Sequence, residues 1–321
     1  MDKRTTTRLA ADPLSRARTL SRLSVTSENA HRTLKALKDV LTLDVKITPE
    51  NTLAIRNFLE RILKASVQID GEFESFARGL LADVLVSDYL NRWNEAENPN
   101  SGRNLLREAE RQVQKALALY KRLANDTKKA TDNSWRVYPG RALTHYANGL
   151  VHRANGKHIR AFDEFEEALH QDPNFARAYA QKGSELINLG YPHLAQNPVK
   201  KAISLGPKDP SLGMFYWNLG RATFSRGTTE RLQPLREAVR LRPNLWHNWL
   251  YLVSAHALIG NKDDARKILA RFRQRRDFKA LKFNVALVKS YEAANPNKNK
   301  LIIKGREKFH EGLVKAGMAE I

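Results

Sequence analysis

The 321-residue chain contains no cysteine. That absence excludes disulfides, thiolate catalysis and cysteine-ligated metal centres, and it fits a reducing cytoplasm. No apolar run approaches the length of a membrane-spanning helix. The short signatures of phosphate, dinucleotide and metal chemistry are missing as well. There is no G-x4-G-K-[ST] loop, no G-x-G-x-x-G turn, no H-E-x-x-H pair and no G-x-S-x-G elbow. Carboxylates are scarce: 34 Asp and Glu stand against 55 Lys and Arg, for a net charge of +21. Such an excess attracts acidic partners: an acidic protein or peptide, nucleic acid or an anionic membrane surface.

What is present is a period. Gly149 and Gly183 lie 34 residues apart, as do Gly156 and Gly190, Ala161 and Ala195, Ala168 and Ala202, and Pro173 and Pro207. Self-similarity at this length marks stacked helical hairpins. Gly149 and Gly183 fall mid-way along a first helix, where a missing side chain lets a partner approach. Gly156 and Gly190 end that helix in a conformation needing positive φ. Ala161, Phe165 and Ala168 form the packing face of the second helix, and Asp172-Pro173 stops it, because proline lacks an N–H and restricts the residue before it. A third copy spans Gly213–Pro243, where the small Ala position falls near Arg231. A fourth starts at Trp246 and keeps Gly260, Ala265 and Leu269 in register.

The spacing predicts further elements on either side. Met1–Thr33 is rich in Arg, Ser and Thr and has no apolar core, so it reads as a mobile basic arm rather than a secretory signal. Residues 34–124 read as divergent helical repeats, including helices at Glu74–Leu90 and Leu105–Leu123 around a loop at Asn91–Gly102. Residues 125–140 read as an insertion, 141–275 as the core repeats and 276–321 as helices capping the stack. The A-x3-F core and the terminal proline resemble the tetratricopeptide repeat. That resemblance implies an all-α fold, a right-handed superhelix of antiparallel helix pairs with C-terminal capping helices, working as a protein-binding scaffold.

Candidate sites follow from the register. Carried over from the tetratricopeptide pattern, the first helix of each pair lines a concave groove. The inward positions include Tyr146, Arg153, Arg177, Asn188, Trp217, Arg221 and His247. Aromatics and arginines of this kind are frequent anchors of interfaces, and arginine clamps carboxylates through paired hydrogen bonds. The chaperone-tail clamp of some tetratricopeptide proteins places Asn just after the mid-helix glycine. Here Leu150, Ser184 and Arg221 hold that slot, so its ligand is not carried over. His145 and His152 share a helical face but occupy packing positions, and Asp163, Glu164, Glu166 and Glu167 spread around a solvated helix. No catalytic residue, metal site or cofactor is expected. The basic run Arg271–Lys282, with Phe272 and Phe278 interleaved, reads as a charged outer face with aromatics turned inward. The alternative is that it associates with nucleic acid.

The phrases LADVLVSDYLNRWNEA (Leu81–Ala96), HYANGLVHRANG (His145–Gly156), NFARAYAQKGSELINLG (Asn174–Gly190), PNLWHNWLYLVSAHALIG (Pro243–Gly260) and EGLVKAGM (Glu311–Met318) resemble the C-terminal tetratricopeptide region of bacterial class III adenylate/guanylate cyclases. In that family the nucleotide chemistry belongs to a separate α/β domain with two metal-binding aspartates. Met1–Asp70 is too short and too helical in pattern to hold such a domain. The resemblance therefore implies cyclase ancestry without cyclase chemistry, and a regulatory role.

Overall fold

The computed structural model describes residues 49–64, 71–91, 99–127, 139–224, 229–293, 297 and 299–321. The basic arm expected at 1–33 lies outside these residues, as does most of the insertion expected at 125–140. Among the described residues there are fourteen α-helices and no strand. They fall into two compact units, Met1–Phe175 with Lys208–Pro210, and Ala176–Pro207 with Ser211–Ile321.

The first unit contains α1 (Pro49–Lys64), α2 (Gly71–Asn91), α3 (Pro99–Thr127), α4 (Pro139–Ala154) and α5 (His158–Gln171). Helix α2 packs against α1, α3 and α4, and α4 pairs with α5. Helix α3 is longer than expected, beginning at Pro99 and so taking up part of the sequence read as a loop. Helix α5 shows how the pairs are held. Its buried residues are Ala161, Phe165, Ala168 and Leu169, a stripe with helical spacing. Phe165 is wholly buried, and a Cβ added to Gly149 would lie 2.5 Å from its ring. The small residue on α4 thus admits the large one on α5. The chain leaves α5 at Asp172, whose N–H still reaches the Ala168 carbonyl at 2.9 Å before Pro173 forbids another turn.

The second unit contains α6 (Ala176–Asn188), α7 (Pro192–Leu205), α8 (Leu212–Phe224), a 3-10 turn (Thr229–Arg231), α9 (Leu232–Leu241), α10 (Trp246–Leu258), α11 (Lys262–Gln274), α12 (Arg276–Lys279), α13 (Val285–Ala293) and α14 (Lys300–Lys315). Consecutive helices pair as α6/α7, α8/α9 and α10/α11. Gly190 and Gly260 reverse the chain after α6 and α10 at φ of 90° and 89°, conformations that a side chain disfavours. Where other copies carry alanine, the third carries Arg231. It is 2% exposed, its guanidinium 5.0 Å from the Phe224 ring centroid, with Nη1 donating to the Phe224 carbonyl at 2.6 Å. Burial pulls its pKa down. Among the described residues the protein is all-α and built of helix pairs.

Candidate functional site

In the first unit, two of the residues expected to face a partner lie on α4. Tyr146 is 3% exposed, its ring 5.8 Å from that of Phe165 and 5.0 Å from that of Phe175. It is a core side chain and presents no ring to a ligand. Arg153 is half-buried, with its guanidinium 5.7 Å from the Phe165 ring centroid. Nearby, His145 Nδ1 meets Glu164 Oε2 at 2.8 Å, so one of the carboxylates read as solvated ties α4 to α5. Burial lowers the pKa of His152, keeping the ring neutral.

In the second unit the structure gathers four of the expected residues. Arg221 Nη2 donates to Asn188 Oδ1 at 3.0 Å, linking α8 to α6. The same guanidinium lies 4.6 Å from the Trp217 ring centroid, and the Trp217 and His247 rings are 4.6 Å apart. The Trp217 indole N–H is enclosed and has no hydrogen-bond acceptor among the described residues. Burial, then the positive charges of Arg242 and Arg221, push the His247 pKa down to about 3. The imidazole is neutral at physiological pH, and the field around it is positive. Arg177 is half-buried at the start of α6.

The sequence did not reveal what covers the rest of this face. Helix α14 runs across the first helices of the unit. Asn297 Nδ2 donates to the Asn188 carbonyl at 2.9 Å, and Asn299 Nδ2 donates to the Leu189 carbonyl at 2.8 Å. Asn299 also caps α14, accepting from the Leu301 N–H at 2.9 Å. Ile302 packs with Ile187 and Ala222. Phe309 is 1% exposed and stacks on Tyr251 with ring centroids 4.3 Å apart, while Ser254 Oγ donates to its carbonyl at 2.9 Å. Gly312 sits directly on Ser254, leaving no room for a side chain. The helix expected as a cap therefore also lines the face where a ligand was expected.

On α11 and α12, Phe272 and Phe278 are buried and stack at 4.8 Å, whereas Arg271, Arg273, Arg276 and Lys279, and Lys282 just beyond α12, are exposed. This is the charged outer face with inward aromatics that the pattern predicts. Among the described residues no cluster of three His, Asp or Glu could hold a metal ion, and no helix is long and apolar enough to cross a membrane.

A second charged region went unnoticed in the sequence. Between α1, α2 and α3 lies an open groove of about 760 Å³. Arg56, Lys64, Arg78, Arg107, Arg111 and Lys115 line it, against two lining carboxylates, Glu60 and Glu108. The signal was legible: Arg103, Arg107, Arg111 and Lys115 recur every fourth residue, which places them along one side of a helix.

Comparison with known proteins gives a distant picture. No family model matches the chain. The chain is similar to the photosystem I assembly protein Ycf3 of Rippkaea orientalis, 29% identical over 133 residues, which span 34% of this chain and 73% of Ycf3. Among solved structures it is similar to MamA of Desulfovibrio magneticus RS-1, at 18% identity and a TM-score of 0.41 over 59% of this chain and 94% of that one. It is also similar to PilF of Pseudomonas aeruginosa, at 17% identity and a TM-score of 0.45 over 74% and 91%. At these TM-scores the structural likenesses add nothing to the helix pairing already described.

Proposed function

We propose that the protein is a non-catalytic scaffold that binds an acidic protein segment on the first helices of its pairs. The observation that carries this reading is the cluster of Arg221, Asn188, Trp217 and His247, where burial first, and then the charges of Arg242 and Arg221, lower the histidine's pKa to about 3. A positive field with an enclosed, unanswered indole N–H suits a carboxylate ligand better than any chemistry requiring a base. Arg177, half-buried on α6, adds a further cation to this unit. The similarity to a protein named for its part in assembly favours a binding role. The resemblance to the repeat region of class III cyclases supplies the setting: a regulatory module of a cyclase-like system, with no cyclase activity of its own.

The test is affinity capture from the native cell with wild type and Arg177→Glu/Arg221→Glu. Loss of the captured partner from the variant supports the reading, and unchanged recovery removes the inner face from it. Metal-dependent conversion of ATP or GTP to a cyclic nucleotide by the purified protein would overturn the non-catalytic claim. Association with nucleic acid through the exposed cations of α11 and α12 is the alternative, and it predicts a gel shift that weakens steeply with salt.

A further inference from the structure

The groove between α1, α2 and α3 has a charge balance unlike an ordinary solvated face. Glu60 is shared by Arg56 at 2.9 Å and Lys64 at 3.7 Å. Glu108 is paired with Arg111. Arg78 is held by Glu74 through Nε at 2.9 Å and by the Gln112 side-chain oxygen through Nη1 at 2.8 Å. Every carboxylate at the groove is therefore already engaged. Arg107 and Lys115 have no anionic partner among the described residues, and both are exposed. Leu63, Leu81 and Leu105 add apolar side chains to the lining.

We propose that this groove docks an extended acidic peptide segment, with Arg107, Arg111 and Lys115 pairing its alternate carboxylates. The spacing supports the match. Residues four apart on a helix are separated by about 6 Å along the axis. Alternate residues of an extended strand are about 6.6 Å apart and point to the same side. A stripe of cations on α3 therefore meets one side of a strand in step. The two unpaired cations supply attraction without first breaking an internal ion pair.

The chemistry selects among occupants. No aromatic side chain is among the described residues that line the groove, so they offer the bases of a single-stranded nucleic acid no stacking platform. The chain's own residues 1–48 carry more Lys and Arg than Asp and Glu, so their charge does not complement the groove. The proposal rests on the reading of the protein as a scaffold, but it uses none of the residues on α4, α6, α8 or α10, so the two sites fail separately.

The experiment is fluorescence anisotropy on the full chain with a fluorescein-labelled peptide of about ten residues alternating Glu and Leu. A matched Lys–Leu peptide and oligothymidylate serve as comparison probes. The expected result is saturable, salt-sensitive binding of the Glu peptide, with no binding of the Lys peptide. Arg107→Glu/Lys115→Glu should weaken the Glu peptide by at least about tenfold, and the milder Arg107→Gln/Lys115→Gln by about threefold to tenfold. Arg177→Glu/Arg221→Glu reports on the inner face instead: a loss through it that Arg107→Glu/Lys115→Glu does not reproduce belongs to that separate site. Unchanged thermal melts confirm that the exposed substitutions leave the fold intact. Three results overturn the proposal: no binding of the Glu peptide, loss of binding only through Arg177 and Arg221, or oligothymidylate binding at least as tightly and with the same dependence on Arg107 and Lys115.

Discussion

The arginines of α3 and those around α8 occupy opposite environments. On α3, Arg103, Arg107, Arg111 and Lys115 are exposed along one side of a helix, and the last three line a groove. In the second unit, Arg221 is hydrogen-bonded to Asn188 and laid on Trp217, and burial holds the Arg242 pKa below its usual value. A count of charge treats these cations alike. Physically they differ, because a solvated cation is available to a partner, whereas an enclosed one is first of all part of the packing. The same contrast extends to what surrounds them. The groove of the first unit is open, while α14 lies across the inner helices of the second.

That contrast can be broken most directly at Phe309. If α14 is core, Phe309→Ala should cost about 3–5 kcal/mol, because it leaves a cavity against Tyr251 and Phe224. Chemical denaturation would register this as a large fall in midpoint. A change below about 1 kcal/mol would mean that α14 is only loosely laid on the face.

The next effect is pH-dependent. The folded pKa of His247, about 3, lies below its ordinary value of 6.5. Between these values the unfolded chain binds the proton more readily than the folded one. Stability is therefore fully present above about pH 6.5 and declines as pH falls towards 3. His152 and His256 are shifted in the same direction, chiefly by burial, and add to the decline. His247→Gln should remove on the order of 1–3 kcal/mol of this acid sensitivity, read from denaturation midpoints at pH 7 and pH 4.5. An identical pH dependence in the variant would show that the ring is not enclosed as described.

The smallest effect belongs to α3. Arg107→Glu/Lys115→Glu should change stability by no more than about 0.5 kcal/mol, since both side chains are exposed and neither is ion-paired among the described residues. A larger loss in a melting experiment would move these residues from the category of available cations to that of structural ones, erasing the difference between the two regions.

Much of this was legible in the chain itself. The glycine–glycine spacing and the closing prolines announced the helix pairs, and the structure shows why: Gly149 sits against Phe165, and Asp172-Pro173 ends α5. The interleaved run on α11 and α12 was read correctly because buried Phe272 and Phe278 follow helical geometry. The candidate site was less legible. Tyr146 and Trp217 occupy equivalent positions in the pattern, yet Tyr146 is core and Trp217 is half-buried beside Arg221. Burial at an inward position depends on what lies opposite, and no local pattern carries that information.

By itself the sequence determined the helical pairing, because periodic apolar residues, glycines and prolines act within a few residues of where they stand. It also determined the charge and the four-residue stripe on α3. Only the tertiary structure decided which of those charges face an open groove and which are enclosed. The decisive contacts are distant ones: Asn297 and Asn299 reach carbonyls 109 and 110 residues away. Such contacts form only when separate helices have been brought together, and no nearest-neighbour rule in the sequence records them.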